Sequence, residues 1–158
     1  MLNQIRELCL LPGVSSFEAP VRSFLRARAE PYADDIRTDA MGNLIVFKKG
    51  RKSTGSKLLL AAHMDEVGLI IRSVTDEGYL KFSAVGGIDR RVLLGKPVRI
   101  GEKGVPGVIG LKAYHLVSAE EEKTVPTLEE FYIDIGAKDK EEAESKVNLG
   151  DCAVFDSD

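Results

Sequence analysis

Apolar residues recur at three- and four-residue spacing from the start of the chain. Leu2, Ile5, Leu8 and Cys9 fall on one side of a predicted helix, and Leu11-Pro12-Gly13 stops it. Ser15-Ser16-Phe17-Glu18 has the form of a capping box, with Ser15 as N-cap and Glu18 reaching back from three residues on. It predicts a second helix in which Phe17, Val21, Phe24 and Leu25 share an apolar face, Arg22, Arg26 and Arg28 stay solvated, and Pro31 ends the run. The period then changes to that of strands. A short strand is predicted over 36–39, Gly42-Asn43 turns the chain, and Leu44-Ile45-Val46-Phe47 forms the next strand before Lys48-Lys49-Gly50. A polar loop over 51–56 leads to Leu58-Leu59-Leu60-Ala61-Ala62, an apolar run without alternation. A strand apolar on both faces belongs at the centre of an α/β sheet. This one runs directly into His63-Met64-Asp65.

Beyond residue 66 short β-like runs alternate with glycine turns. Strands are predicted over 67–74, 79–82, 96–100 and 105–111, punctuated by Asp76-Glu77-Gly78, Gly86-Gly87 and Glu102-Lys103-Gly104. Such close spacing points to a small β-barrel or sandwich. A helix over 141–147 is expected, capped by Asp139 with Glu142 at its third position, and a last strand over 152–155. The organisation is therefore two-part: an α/β opening over 1–66 and a β-rich domain over 67–156. An α/β domain with one fully buried strand and nothing after it needs neighbours from elsewhere, so the chain is expected to be a piece of something larger.

Bulk composition narrows the function classes without naming one. The 158 residues are 44% hydrophobic and 30% charged, enough for one ordinary core or two small ones. A net charge of -3 gives no electrostatic reason to expect a nucleic acid or an anionic membrane as partner. The N-terminal residues lack the basic-then-apolar layout of a signal peptide. No apolar run approaches the ~20 residues of a membrane span. Cys9 and Cys152 sit at opposite ends of the chain and read as free thiols in a reducing cytoplasm.

The candidate chemistry lies at His63 and Asp65. On a strand, residues two apart project to one face, so an imidazole and a carboxylate converge where α/β sheets place their sites. A neutral histidine is a good zinc or cobalt ligand when a carboxylate or carbonyl fixes its other ring nitrogen, and Asp65 is placed to support such a site either by orienting that ring or by contacting a shared general base. On spacing alone the plainer reading is favoured, a His–Asp hydrogen bond that only stabilises a strand end.

The surrounding residues change that weighting. Leu58-Leu59-Leu60-Ala61-Ala62-His63-Met64-Asp65-Glu66-Val67-Gly68-Leu69-Ile70 closely resembles the first metal-site motif of the two-metal glutamyl, deblocking and tetrahedral aminopeptidases, some of which carry the label endoglucanase. Leu11-Pro12-Gly13-Val14-Ser15-Ser16-Phe17-Glu18 resembles the opening of that family, although glycine is more usual where Ser16 stands. Thr38-Asp39-Ala40-Met41-Gly42-Asn43-Leu44 is similar to its next segment. Three stretches resemble its inserted β-domain: the one from Gly86 to Lys96, Gly107-Val108-Ile109-Gly110-Leu111-Lys112, and Tyr132-Ile133-Asp134-Ile135-Gly136-Ala137. The likeness runs in order along essentially the whole chain.

The resemblance implies an α/β fold: the N-terminal part of a metallopeptidase domain, followed by an inserted small β-barrel domain that makes subunit contacts. It implies a metal-dependent aminopeptidase acting on peptides, with two divalent ions, zinc or cobalt, in the complete enzyme. His63 matches a metal-binding histidine, and Asp65 the catalytic-site aspartate that supports it. The family's other metal ligands and its general-base glutamate have no counterpart here, because the chain stops about where the fold returns to the peptidase domain. At most one ion, weakly held, is expected in this chain, and no peptidase activity from it alone. His115, Glu120-Glu121-Glu122 and Asp89-Arg90-Arg91 are read as surface or structural features. A non-catalytic, self-assembling module is the alternative, since relatives build tetrahedral dodecamers. A glycosidase would need two carboxylates flanking a cleft, and nothing marks such a pair.

Overall fold

The computed structural model of the chain describes residues 2–51, 55–120 and 123–156, which fall into two units, Met1–Asp65 and Glu66–Asp158. In the first unit, α1 (Leu2–Cys9) buries none of its side chains. Helix α2 (Ala19–Ala29) starts with proline in its first turn, where a missing N–H costs nothing. The predicted capping box does not form. Glu18 stands at the N-cap position without a side-chain cap, and Ser15 lies further upstream. The reason is a tight turn ahead of the helix: the Phe17 N–H donates to the Val14 carbonyl at 2.7 Å, and the Ser16 N–H to Glu18 Oε1 at 2.7 Å. The Arg28 guanidinium lies 5.0 Å from the Phe24 ring centroid and pairs with Glu7 at 2.5 Å, tying α2 to α1.

Strands β1 (Asp35–Thr38) and β2 (Leu44–Phe47) make an antiparallel hairpin with Ile36 opposite Val46. Its turn is held by Asp39, whose Oδ1 accepts from the Met41 N–H at 3.0 Å and the Asn43 N–H at 2.9 Å. Arg22 Nη1 donates to the Gly42 carbonyl at 3.1 Å and pins the turn to α2.

The run 58–62 is not a strand, contrary to the pattern of the sequence. Leu58, Leu59 and Leu60 are 86%, 86% and 85% exposed. An apolar, extended segment becomes a strand only when ladder partners satisfy its backbone, and among the described residues none pairs with it. The same deficit runs through the unit, where Val14 and Val21 are the buried apolar side chains among the described residues.

The second unit builds its own core. Strands β3 (Gly68–Val74), β4 (Leu80–Val85), β5 (Pro97–Ile100), β6 (Val105–Gly110), β7 (Tyr132–Asp134) and β8 (Cys152–Phe155) close into a barrel in the order β3-β4-β7-β6-β5-β8. The alternation read along the chain becomes inside and outside here. Leu69, Ile71, Leu80, Phe82, Val98, Ile100, Ile109, Ile133 and Ala153 are all buried together. Their register places Ile71 opposite Phe82, Ile100 opposite Ala153 and Ile109 opposite Ile133. Gly107 faces this interior, where an added Cβ would stand 2.6 Å from Ile133 Cγ2 and 3.1 Å from Ile100 Cδ1. Helix α3 (Lys140–Lys146) lays Ala143 against the core and is capped as its sequence predicts, Asp139 Oδ1 accepting from the Glu142 N–H at 2.8 Å.

Candidate functional site

Two segments of the first unit converge on Asp65. Gly13 makes the approach possible: a Cβ there would lie 2.8 Å from Val21 Cγ2 and 3.4 Å from the Met64 carbonyl oxygen. The chain leaves this contact through Val14, which is buried, and reaches Ser15. Ser16 then reverses it with φ of 75°, a left-handed conformation that costs a side-chain-bearing residue of order 1–2 kcal/mol. The outcome is a hydrogen bond from the Ser15 hydroxyl to Asp65 Oδ2 at 2.5 Å, across 50 positions of sequence.

Asp65 in turn faces His63. Its Oδ1 stands 3.3 Å from His63 Nδ1, and its backbone carbonyl oxygen is 3.0 Å from the same nitrogen. The Ser15 hydroxyl, with a smaller contribution from the backbone N–H of Asp65 itself and from His63, holds the Asp65 carboxyl below its usual range, so it is an anion at neutral pH. The imidazole is 86% exposed, which leaves Nε2 open to a ligand. Both residues border a shallow cavity of about 170 Å³, whose other walls include Glu18 and the hairpin turn Met41-Gly42-Asn43.

The sequence reading placed His63 and Asp65 together at the end of a buried strand. They are together, but on a segment outside any sheet. That reading missed Ser15 as a partner of the site, because a Ser-x-x-Glu pattern is local and the hydroxyl goes to a distant carboxylate. The sequence reads Gly42-Asn43 as a turn and 38–44 as a segment resembling the family, without marking either as a wall of this site. The Asp39-x-x-x-Asn43 hydrogen bonds that stiffen this wall are a signal the residue types themselves carry.

A histidine with Nδ1 backed by a carbonyl and a carboxylate suits metal ligation through Nε2. A metal pair is another matter. Among the described residues no group of three or more His, Cys, Asp and Glu side chains is placed to hold an ion. Among the described residues His63 is thus a donor with its support, and they show no grouping that fits two ions. His115 is in the barrel unit, exposed on the turn Tyr114–Leu116. Asp89 caps a turn and forms an exposed ion pair with Arg91, whose guanidinium lowers the Asp89 pKa to about 2. Of the acidic run 120–122, Glu121 and Glu122 lie outside the described residues.

Comparison with known proteins bears on this arrangement. The family model of M42 glutamyl aminopeptidases matches residues 42–158. A TET aminopeptidase from a marine-sediment thaumarchaeon superposes with a TM-score of 0.89 at 38% identity, covering 98% of this chain and 44% of that one. The TET1 peptidase of Pyrococcus horikoshii, described as assembling into a tetrahedron or a large octahedral shell, gives 0.83 at 42% identity, with 98% and 46% covered. A protein of Acetivibrio thermocellus, provisionally assigned as an aminopeptidase, is 38% identical over all of this chain and 45% of its own length. The chain spans less than half the length of each of these relatives.

Proposed function

The chain belongs to the M42 glutamyl aminopeptidase family, and from that premise we propose that it contributes part of the site of a metal-dependent aminopeptidase that removes N-terminal residues from peptides. His63 is the metal ligand of this reading and Asp65 the carboxylate that supports it. The observation that carries it is the pairing of His63 Nδ1 with the Asp65 carbonyl at 3.0 Å and carboxylate at 3.3 Å, beside an exposed Nε2. In a complete site His63 would hold one of a pair of divalent ions, zinc or cobalt, and the ions would supply Lewis-acid chemistry toward a peptide carbonyl and a water. This chain's own share is narrower. Asp65 keeps the ring oriented, His63 offers one nitrogen, and the Met41-Gly42-Asn43 turn walls the space beside them. With no three-ligand group among the described residues, the chain by itself holds at most one ion, weakly.

The setting that goes with this reading is cytoplasmic. Cys9 and Cys152 are free thiols, as a reducing compartment allows, and among the described residues no helix is long and apolar enough to cross a membrane. The partners are peptides and further copies of the chain. A second reading, a non-catalytic assembly module, is favoured by the barrel unit, which completes a core of its own and carries Val92, Leu94, Val108 and Leu149 exposed. A relative that builds shells supports the same view.

Aminopeptidase substrates offered to the purified chain with added zinc, cobalt or manganese test the first reading. No turnover is expected. Metal-dependent turnover that disappears in His63→Ala, from a sample free of any longer enzyme, contradicts the account of an incomplete ligand set.

A further inference from the structure

We propose that Ser15 is a positioning residue: by holding the Asp65 carboxylate, its hydroxyl fixes the His63 ring with the proton on Nδ1 and the lone pair on Nε2. The use of that lone pair toward a metal rests on the reading above, but the tautomer itself does not.

A serine hydroxyl has one proton to donate, and Ser15 gives it to Asp65 Oδ2 at 2.5 Å. It gives none to α2, whose N-terminus has no side-chain cap. With Oδ2 occupied, the carboxylate is turned so that Oδ1 stands 3.3 Å from His63 Nδ1. The Asp65 carbonyl oxygen faces the same nitrogen at 3.0 Å. Both oxygens only accept, so a neutral ring satisfies them by carrying its proton on Nδ1. Nε2 is then unprotonated on the exposed side of the ring, the form a Lewis acid needs. The backbone around Ser15 is shaped for this placement. Gly13 admits the close pass against Met64, and Ser16 is held at φ 75°, the kind of local strain that persists where the surroundings demand it. Without the hydroxyl the carboxylate is free to rotate toward solvent, and the exposed ring loses one of the two acceptors that orient it.

A tie that merely joined two loops would leave the tautomer unchanged when removed, and this separates the two roles. The chain has 2 histidines, so a uniformly 15N-labelled His115→Ala chain leaves His63 as the single imidazole signal. Long-range 1H–15N spectra are recorded above the usual histidine titration range. Nδ1–H is expected as the major tautomer. In Ser15→Ala its ratio to the Nε2–H form is expected to fall about three- to tenfold, the reach of one ordinary hydrogen bond. Ser15→Thr, which keeps the hydroxyl, is expected to retain the original ratio. A proton found on Nε2 with Ser15 intact overturns the proposal without recourse to any variant, including the case where Ser15→Ala does not fold. So does an unchanged ratio in Ser15→Ala when the amide spectrum of the β1–β2 hairpin is native. If the tautomer behaves as expected and zinc leaves the ring signals unmoved, the metal reading fails and the role of Ser15 stands.

Discussion

Ser16 shows how much one backbone angle carries. Among the described residues it is the non-glycine with positive φ, and the strain falls in the segment that brings Ser15 to Asp65. Glycine adopts that conformation freely, at the cost of more freedom to lose on folding. Ser16→Gly is therefore expected to stabilise the first unit by about 1 kcal/mol, and Ser16→Val to destabilise it by more than that. Amide exchange of the hairpin and of α2 reports the change. Faster exchange in the glycine variant would mean the angle carries no cost. At this scale the site was half legible in the sequence. His63 and Asp65 stand out through the resemblance of the run 58–70 to a family motif, since on spacing alone the plainer reading is a His–Asp hydrogen bond at a strand end. Ser15 does not, since its neighbours spell a capping box and its true partner is 50 positions away. No local pattern encodes that bond.

Elements were legible where each strand brings its own punctuation. The turns at Gly78 and Gly104 and the alternation beside them mark β3 to β6, and β2 and β8 span the residues the pattern picks out, 44–47 and 152–155. The three-residue β7 is too short for any period and was visible only through resemblance. The turn Leu128–Glu130 escaped notice, although Thr127 and Glu130 form a true capping box there. The run 58–62 failed for the opposite reason. Its composition is that of a buried strand, but burial belongs to the neighbours, and composition does not supply them. Inside the barrel the neighbours are present and crowded. Gly107→Ala is expected to cost about 1–3 kcal/mol, because its Cβ would press on Ile133 and Ile100 and φ offers no objection of its own. Urea unfolding followed on the barrel measures it. A neutral result would show that β6 shifts outward freely and that the interior is looser than its contacts imply.

At the scale of the whole molecule the two units are unequal. The barrel unit buries a continuous core, whereas the first unit leaves Leu2, Ile5, Phe17, Phe47 and Leu58 to Leu60 exposed. Soluble monomers rarely present so much apolar surface, so the chain is expected to associate as its concentration rises. Light scattering across a dilution series checks this, and a monomer at every concentration would contradict it. Leu59→Lys is expected to weaken association if the first unit drives it. A chain beginning at Val67 is expected to keep it if the barrel does. His63 is proposed to bring one metal-binding nitrogen to a site that needs further ligands, and zinc titration followed at the imidazole signals decides this. Weak binding of one ion per chain is expected, with perturbation of His63 and not of His115, and with loss of binding in His63→Ala. Two tightly held ions per chain, or zinc binding that His63→Ala leaves intact, would contradict it.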